Sequence, residues 1–194
     1  MNKILRRTGK IIIISGPSGS GKTTLYKKLL ADPFFKKRLF RSISVTTRPK
    51  RAGEKHGRDY LFVSHKIFLY KRRAGHFLEW QKVFGNYYGT PKKNVRNLFK
   101  RGKNVLLCID VKGAAVVRRK YPSAIRIFIK TPSLEVLRRR LENRRSEGSE
   151  VINQRLKIAK QELKEASHYN HIIINDNLSK AYKDLISRLH SQLN

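Results

Sequence analysis

The sequence predicts an α/β protein built on a parallel core sheet flanked by helices. Three observations carry that reading. The run "IIIIS", Ile11–Ser15, is continuously apolar and β-branched up to its last residue, as expected of a strand buried on both faces of a parallel sheet. It runs directly into "GPSGSGKTTL", Gly16–Leu25, a glycine-rich turn that opens a helical segment. Beyond it, apolar strand-like runs alternate with helical periods almost to the end of the chain.

Each element has its own signal. Residues 22–31 read as a helix that stops before Pro33, whose ring cannot continue it. Residues 42–88 break the alternation. They are rich in Arg, Gly and Tyr, carry short strands at "DYLFV" (59–63) and "HFLEW" (76–80), and read as an inserted module for a substrate. "TPKKNVRNLFKRG" reads as a helix with Pro91 in its first turn and Gly102 beyond its end. "NVLLCID" (104–110) is a second buried strand, "DVKGAAVVRRKYP" the helix after it, and "AIRIFI" (124–129) a third strand. "SLEVLRRRLENRR" and "SEVINQRLKIAKQELKEA" are helical by period. "HIIIN" (171–175) is a fourth strand, and the last stretch is an amphipathic helix.

The 194 residues suit one domain with a sizeable core. Lys and Arg number 45 against 13 Asp and Glu, a net charge of +32. Such a surplus attracts polyanions, but the basic residues are spread along the whole chain, and charge alone supplies no base readout. Specific nucleic-acid binding is therefore not expected. The one cysteine, Cys108, excludes an internal disulfide and a cysteine-cluster metal site, and suits a reducing cytoplasm. The basic-then-apolar start imitates a signal peptide, but its apolar run is too short for one, and no stretch has the length of a membrane span. The six histidines lack metal-ligand spacing.

The opening stretch fits G-x-x-x-x-G-K-[ST] with Gly16, Gly21, Lys22 and Thr23. Glycines let successive backbone N–H groups converge on one anion, and the following helix adds its positive end. The expected nucleoside triphosphate would lie along Gly16, Pro17, Ser18, Gly19, Ser20, Gly21, Lys22, Thr23 and Thr24. Lys22 would reach its β- and γ-phosphates, and the Thr23 hydroxyl would be a ligand of the accompanying Mg²⁺.

The acceptor side is read from "SISVTTRPKRAGEKHGRDYLFV". Arg48 and Arg51 supply permanently charged forks that suit a phosphate dianion, with Tyr60 nearby. Glu79 in "FLEW" is a poor neighbour for a phosphate, but suits a donor edge such as the N1–H and N2 amine of guanine. "GNYYGTP" follows with Tyr88 and Thr90.

In this order, "GPSGSGKTTL", "SVTTRPKRAGEKHGRDY", "FLEW", "GNYYGTP", "ID", an arginine-rich stretch and "IIINDNL" together resemble the guanylate kinase family, whose members phosphorylate GMP from ATP; the likeness spans nearly the whole chain. The resemblance implies a nucleoside-monophosphate-kinase-like fold with an inserted GMP-binding module and a helical lid. The core would take about 1–41, 91–133 and 161–194, the GMP module about 42–90, and the lid about 134–160. It implies that Arg48, Arg51, Tyr60 and Tyr88 hold the GMP phosphate, that Ser44, Glu79 and Thr90 read guanine, and that Asp110 is the family's strand-end aspartate on the GMP side. Arg144 and Arg155 match the lid arginines, and Asn175 the adenine-side asparagine. Arg138, Arg139, Arg140 and Arg145 read as a charged helix face around Arg144. Direct phosphoryl transfer would then rest on Lys22, Arg48, Arg144 and Arg155, with ATP carrying Mg²⁺, GMP as acceptor and dGMP as a second one. One position departs from the pattern: two residues before Asp110 the family usually has an acid, and here stands Cys108. With every other motif position present, an active enzyme is expected.

Overall fold

A computed structural model describes residues 9–143 and 148–193. The chain opens with β1 (Ile11–Ser15), α1 (Lys22–Ala31), α2 (Pro33–Lys36), β2 (Leu39–Arg41), β3 (Val45–Thr46), β4 (Leu61–Phe62) and α3 (His65–Arg73). Next come β5 (Phe77–Val83), β6 (Asn86–Pro91), α4 (Lys92–Lys100), β7 (Asn104–Cys108), α5 (Val111–Lys120) and β8 (Ile125–Lys130). It closes with α6 (Leu134–Glu142), α7 (Ser149–Lys164), a short 3₁₀ turn, β9 (His171–Ile174) and α8 (Leu178–Leu193). The first sheet has the order β2-β7-β1-β8-β9, with the printed pairings β2–β7 and β8–β9 both parallel. The second has the order β4-β3-β6-β5 and is largely antiparallel. The α/β fold with a parallel central sheet is as the sequence predicts.

The chain divides into two compact units. The first, through residue 12, 39–107 and 112–124, holds the antiparallel sheet, α3, α4 and most of α5. Phe68 of α3 stacks on Phe77 of β5 at 4.5 Å between ring centroids and on Tyr87 of β6 at 5.2 Å, and Val45 completes this core. The second unit, 13–38, 108–111 and 125 onwards, holds α1, α6, α7, β8, β9 and α8. Leu137 and Leu141 of α6 pack there against Ile152, Leu156 and Ala159 of α7. Ile12, Ile13 and Ile14 of β1 are fully buried, as the β-branched run required.

Differences from the sequence reading are local. Pro91 ends β6 and caps α4 from outside rather than sitting in its first turn. Helix α3 interrupts the short strands; Ser64 caps it by accepting from the Ile67 N–H, and only Phe68 is buried along it, so its apolar period is weak. Strand β9 is an edge of its sheet, and Ile172 and Ile174 stay exposed on one side. Arg140 is not a solvated face residue: its guanidinium donates to the carbonyls of Asn175 (2.8 Å) and Asp176.

Strands β5 and β6 close through Phe84 and Gly85, between the paired Val83 and Asn86. Both central residues have positive φ, 47° and 75°, the backbone sign that a two-residue type I′ turn requires. Phenylalanine is strained there, whereas asparagine tolerates the left-handed region. Phe84→Asn should therefore stabilise the protein by about 0.5–1 kcal/mol. Urea unfolding would read this as a higher midpoint at constant slope; an unchanged or lower midpoint would contradict the turn assignment.

Candidate nucleotide sites

The second unit carries the phosphate loop. Three of its glycines, Gly16, Gly19 and Gly21, have φ of 135°, 93° and 92°. At Gly16 a Cβ would lie 2.0 Å from the Ile129 carbonyl, and at Gly21 2.1 Å from the Asn175 amide. Close packing and left-handed backbone thus both demand glycine at these two positions. Lys22 opens α1 and folds back, its ammonium donating to the carbonyls of Gly16 (2.6 Å) and Pro17 (2.8 Å). Thr23 and Thr24 are exposed in the first turn of the same helix. Ser15, at the strand end, donates to the Ile109 carbonyl at 2.7 Å.

Two residues expected far along the chain reach this loop. Asn175 is 5% exposed and donates its side-chain amide to the Ser20 carbonyl at 2.8 Å. Arg155 of α7 donates to the Ser18 hydroxyl at 3.1 Å. Arg144 lies outside the described residues. Asp110 sits in this unit between β7 and α5, just after Cys108 at the end of β7.

The first unit gathers the other expected residues on the antiparallel sheet. Glu79 and Thr90 are register partners across β5 and β6, both buried, and the Thr90 hydroxyl donates to a Glu79 carboxylate oxygen at 2.5 Å. Their meeting depends on a β-bulge: Phe77 pairs with Pro91 and Glu79 with Thr90, so Leu78 is an extra residue. Such a bulge re-aims the side chains that follow it. Here Phe77, Leu78 and Glu79 are all buried in succession, which simple alternation forbids. The bulge carbonyl of Leu78 accepts from the Lys120 ammonium at 2.7 Å. Lys120 was not foreseen; nothing in the sequence marks a bulge or its partner. Lys120→Met keeps the apolar stem and removes the donor. It should loosen the Glu79 backbone and, with Glu79 in the base-reading role the resemblance implies, raise the KM of the expected acceptor GMP severalfold with kcat nearly kept; Lys120→Arg should restore it, and equal KM values in all three proteins would refute the role.

Ser44 is also buried, and its carbonyl accepts from the Leu61 N–H. Tyr60 and Tyr88 meet edge to face at 6.0 Å. The Arg48 guanidinium stands 5.6 Å from the Tyr60 ring centroid. Arg48, Tyr60 and Tyr88 thus form one cluster, and exposed Arg51 joins it through an acid not foreseen from sequence, Glu54. Both Glu54 oxygens accept from Arg48, at 2.7 and 2.9 Å, and one accepts the Arg51 backbone N–H at 2.9 Å.

Burial alone would raise the Glu54 pKa, but the Arg48 forks and the Arg51 N–H outweigh it and hold it below the usual carboxylate range. The same fork, with Tyr88, raises Arg48 above its ordinary value against burial. A depressed carboxylate contributes stability that is present above its unfolded value and lost as pH falls through the folded one. Glu54 therefore contributes to acid sensitivity below about pH 4.5. Glu54→Gln keeps the shape and removes the charge that orients Arg48. It should raise the GMP KM roughly tenfold, the worth of one charge-assisted bond, with kcat less affected, and flatten the acid limb of the stability profile. An unchanged KM would show that Arg48 does not need this partner.

Among the described residues no group of three or more His, Cys, Asp or Glu could hold a metal ion, and no helix is long and apolar enough to cross a membrane. A glycine loop ending a buried strand and opening a helix marks the P-loop class of nucleotide-binding proteins. Comparison with known proteins narrows the class. The family model described as guanylate kinase matches residues 8–192. A guanylate kinase of Oleidesulfovibrio alaskensis is 45% identical over 92% of this chain and 85% of its own, and one of Nitrosospira multiformis is 46% identical over 91% and 83%. The crystal structure of guanylate kinase from Anaplasma phagocytophilum superposes with a TM-score of 0.78 at 33% identity, covering 96% of this chain and 87% of that one. The chain belongs to the guanylate kinase family.

Proposed function

We propose that this chain transfers the γ-phosphoryl group of ATP to the phosphate of GMP, giving ADP and GDP, with dGMP as a second acceptor. The observation that carries the choice of acceptor is the buried Glu79–Thr90 pair in the same unit as the Arg48, Tyr60 and Tyr88 cluster. An ionised carboxylate accepts only, and guanine offers two adjacent donors. Ser44 and Thr90 complete the base contacts, and Arg48, Arg51, Tyr60 and Tyr88 hold the acceptor phosphate. Asp110 serves the GMP side.

The donor lies on Gly16–Thr24 with Asn175 beside the adenine. Backbone N–H groups of the loop and the start of α1 hold the phosphates, and Lys22 exchanges its loop carbonyls for phosphate oxygens. The exposed Thr23 hydroxyl fits a metal ion carried by the nucleotide, because Mg²⁺ prefers phosphate oxygens plus one or two protein ligands to an all-protein cage. Mg²⁺ bound with ATP supplies charge neutralisation at the triphosphate. The attacking phosphate is already an anion, so no strong general base is required. What the chain supplies is positioning and positive charge: Lys22 on the donor, Arg48 at the acceptor, and Arg144 and Arg155 from a lid that also excludes water. We assign that lid to about 134–160, the GMP module to about 42–90 and the core to the remainder, working in the cytoplasm.

A coupled ADP-release assay with GMP, dGMP, AMP, UMP and CMP tests this. GMP should lead, dGMP follow, and the rest be slower by orders of magnitude. A preference for AMP or a pyrimidine, or no ADP release with GMP, would sink it.

A further inference from the structure

The first unit has a concave feature that shares with its proposed chemistry only Leu78 and Lys120, the supports of Glu79. A cleft of about 450 Å³ is lined by Leu78, Val95, Phe99 and Tyr121 and by Lys92, Arg96, Lys100 and Lys120. Its floor is apolar and partly aromatic, with the Phe99 and Tyr121 rings edge to face at 6.1 Å. Its rim has four cations and no acid. None of the lining residues belongs to the proposed GMP contacts.

The charge around the cleft is one-signed to an unusual degree. The carboxylates of this unit are Glu54, Asp59 and Glu79. Glu79 and Asp59 are each 5% exposed, and Glu54 is tied to Arg48. No carboxylate of the described residues in this unit lies open on its surface. Helix α4 and the turn after it expose Lys92, Lys93, Arg96, Lys100 and Arg101, and the end of α5 adds Arg119 and Lys120. Such a surface attracts an extended polyanion, and more cations are offered than one small phosphate ester can engage.

We propose that this face binds single-stranded nucleic acid, with a base in the cleft against Phe99 and Tyr121 and the backbone phosphates along Lys92, Arg96 and Lys100. Stacking on aromatic side chains beside a basic track is the general means of holding single strands without sequence preference. A duplex keeps its bases stacked inside and has none to place in the cleft. A polyanion such as polyglutamate has the charge but no planar group to fill the aromatic floor. Binding without base readout leaves intact the expectation that specific recognition is absent.

Fluorescence anisotropy with a 5′-fluorescein-labelled 12-nucleotide oligoadenylate tests the proposal, independently of kinase activity. The variant Lys92→Ala/Arg96→Ala/Lys100→Ala is compared with Lys160→Ala/Lys180→Ala/Lys183→Ala, which removes equal charge from exposed positions of the second unit. The cleft variant should bind at least tenfold more weakly at 100 mM KCl. Its log Kd against log salt should be shallower by about 2, since each lost phosphate contact on a single strand removes roughly 0.7. The control should lose less than half as much on a logarithmic scale. Phe99→Leu, which keeps apolar volume without a ring, should weaken binding about tenfold, with circular dichroism confirming the fold. Equal losses in the two triple variants, equal affinity for the matching duplex, displacement by polyglutamate at equal charge concentration, or no binding by the parent protein would each overturn the proposal.

Discussion

Lys22→Met will lower phosphoryl transfer by roughly two to three orders of magnitude while leaving the protein folded. The ammonium is already at the mouth of the loop, bonded to the Gly16 and Pro17 carbonyls at 2.6 and 2.8 Å. In the proposed mechanism it exchanges those two carbonyls for the β- and γ-phosphate oxygens of the donor, a short swing from a position already inside the loop. Charge that builds between the β- and γ-phosphates in the transition state then meets a preorganised cation. Methionine matches the length of the stem but carries no charge and no donor. Removing one such group typically lowers kcat by a factor of about 100–1,000. The fold should tolerate the change because Lys22 is half-buried at the first position of α1, and the core contacts of that helix come from Leu25, Tyr26 and Leu29. Circular dichroism and ATP-dependent GDP formation, measured on the same preparation, check both halves. Near-parental turnover in a folded variant would refute the transfer mechanism.

How far the sequence could be read follows from which forces are local. The phosphate loop was legible because its chemistry is local. A buried strand, glycines where the backbone must turn left-handed, and a lysine one step into a helix are all written within Ile11–Leu25. The positions of Glu79 and Thr90 as a pair were not legible from spacing. They depend on the extra residue Leu78, a matter of register between two strands, and the lysine that satisfies its carbonyl comes from α5. Glu54 carries no signal in the sequence, because an acid in a basic turn looks like ordinary surface; only folding puts both its oxygens on Arg48. Arg140 looks like part of a solvated face for the same reason; the fold brings the carbonyls of Asn175 and Asp176 to its guanidinium. Strand β2 and helix α3 are not legible because three residues, or one buried side chain in nine, carry too little periodicity.

Glu79→Ala will collapse the preference for GMP over AMP. The carboxylate is 5% exposed and fixed from one side by Thr90, so its orientation is set before any ligand arrives. Guanine presents N1–H and the N2 amine side by side, and one ionised carboxylate can accept from both. Adenine has no N2 amine, and its N1 is itself an acceptor. AMP in this position would set a lone pair against a carboxylate and offer that buried charge none of the donors that guanine supplies. Sites built on such buried matching reject the wrong ligand by roughly 10⁴-fold, and the parent protein should show a GMP/AMP ratio of kcat/KM of that order. In the alanine variant the acceptor is gone for both bases, so GMP activity should fall by several orders of magnitude and AMP activity hardly at all. Glu79→Gln refines the argument. It keeps the shape and one acceptor but adds an amide donor, so it should recover part of the activity with GMP and relax the discrimination against AMP. Steady-state kinetics with both monophosphates at saturating ATP measure all of this. A GMP/AMP ratio unchanged in Glu79→Ala would remove this residue from the acceptor site, and with it the physical ground for assigning a guanine nucleotide to the bulged edge of β5.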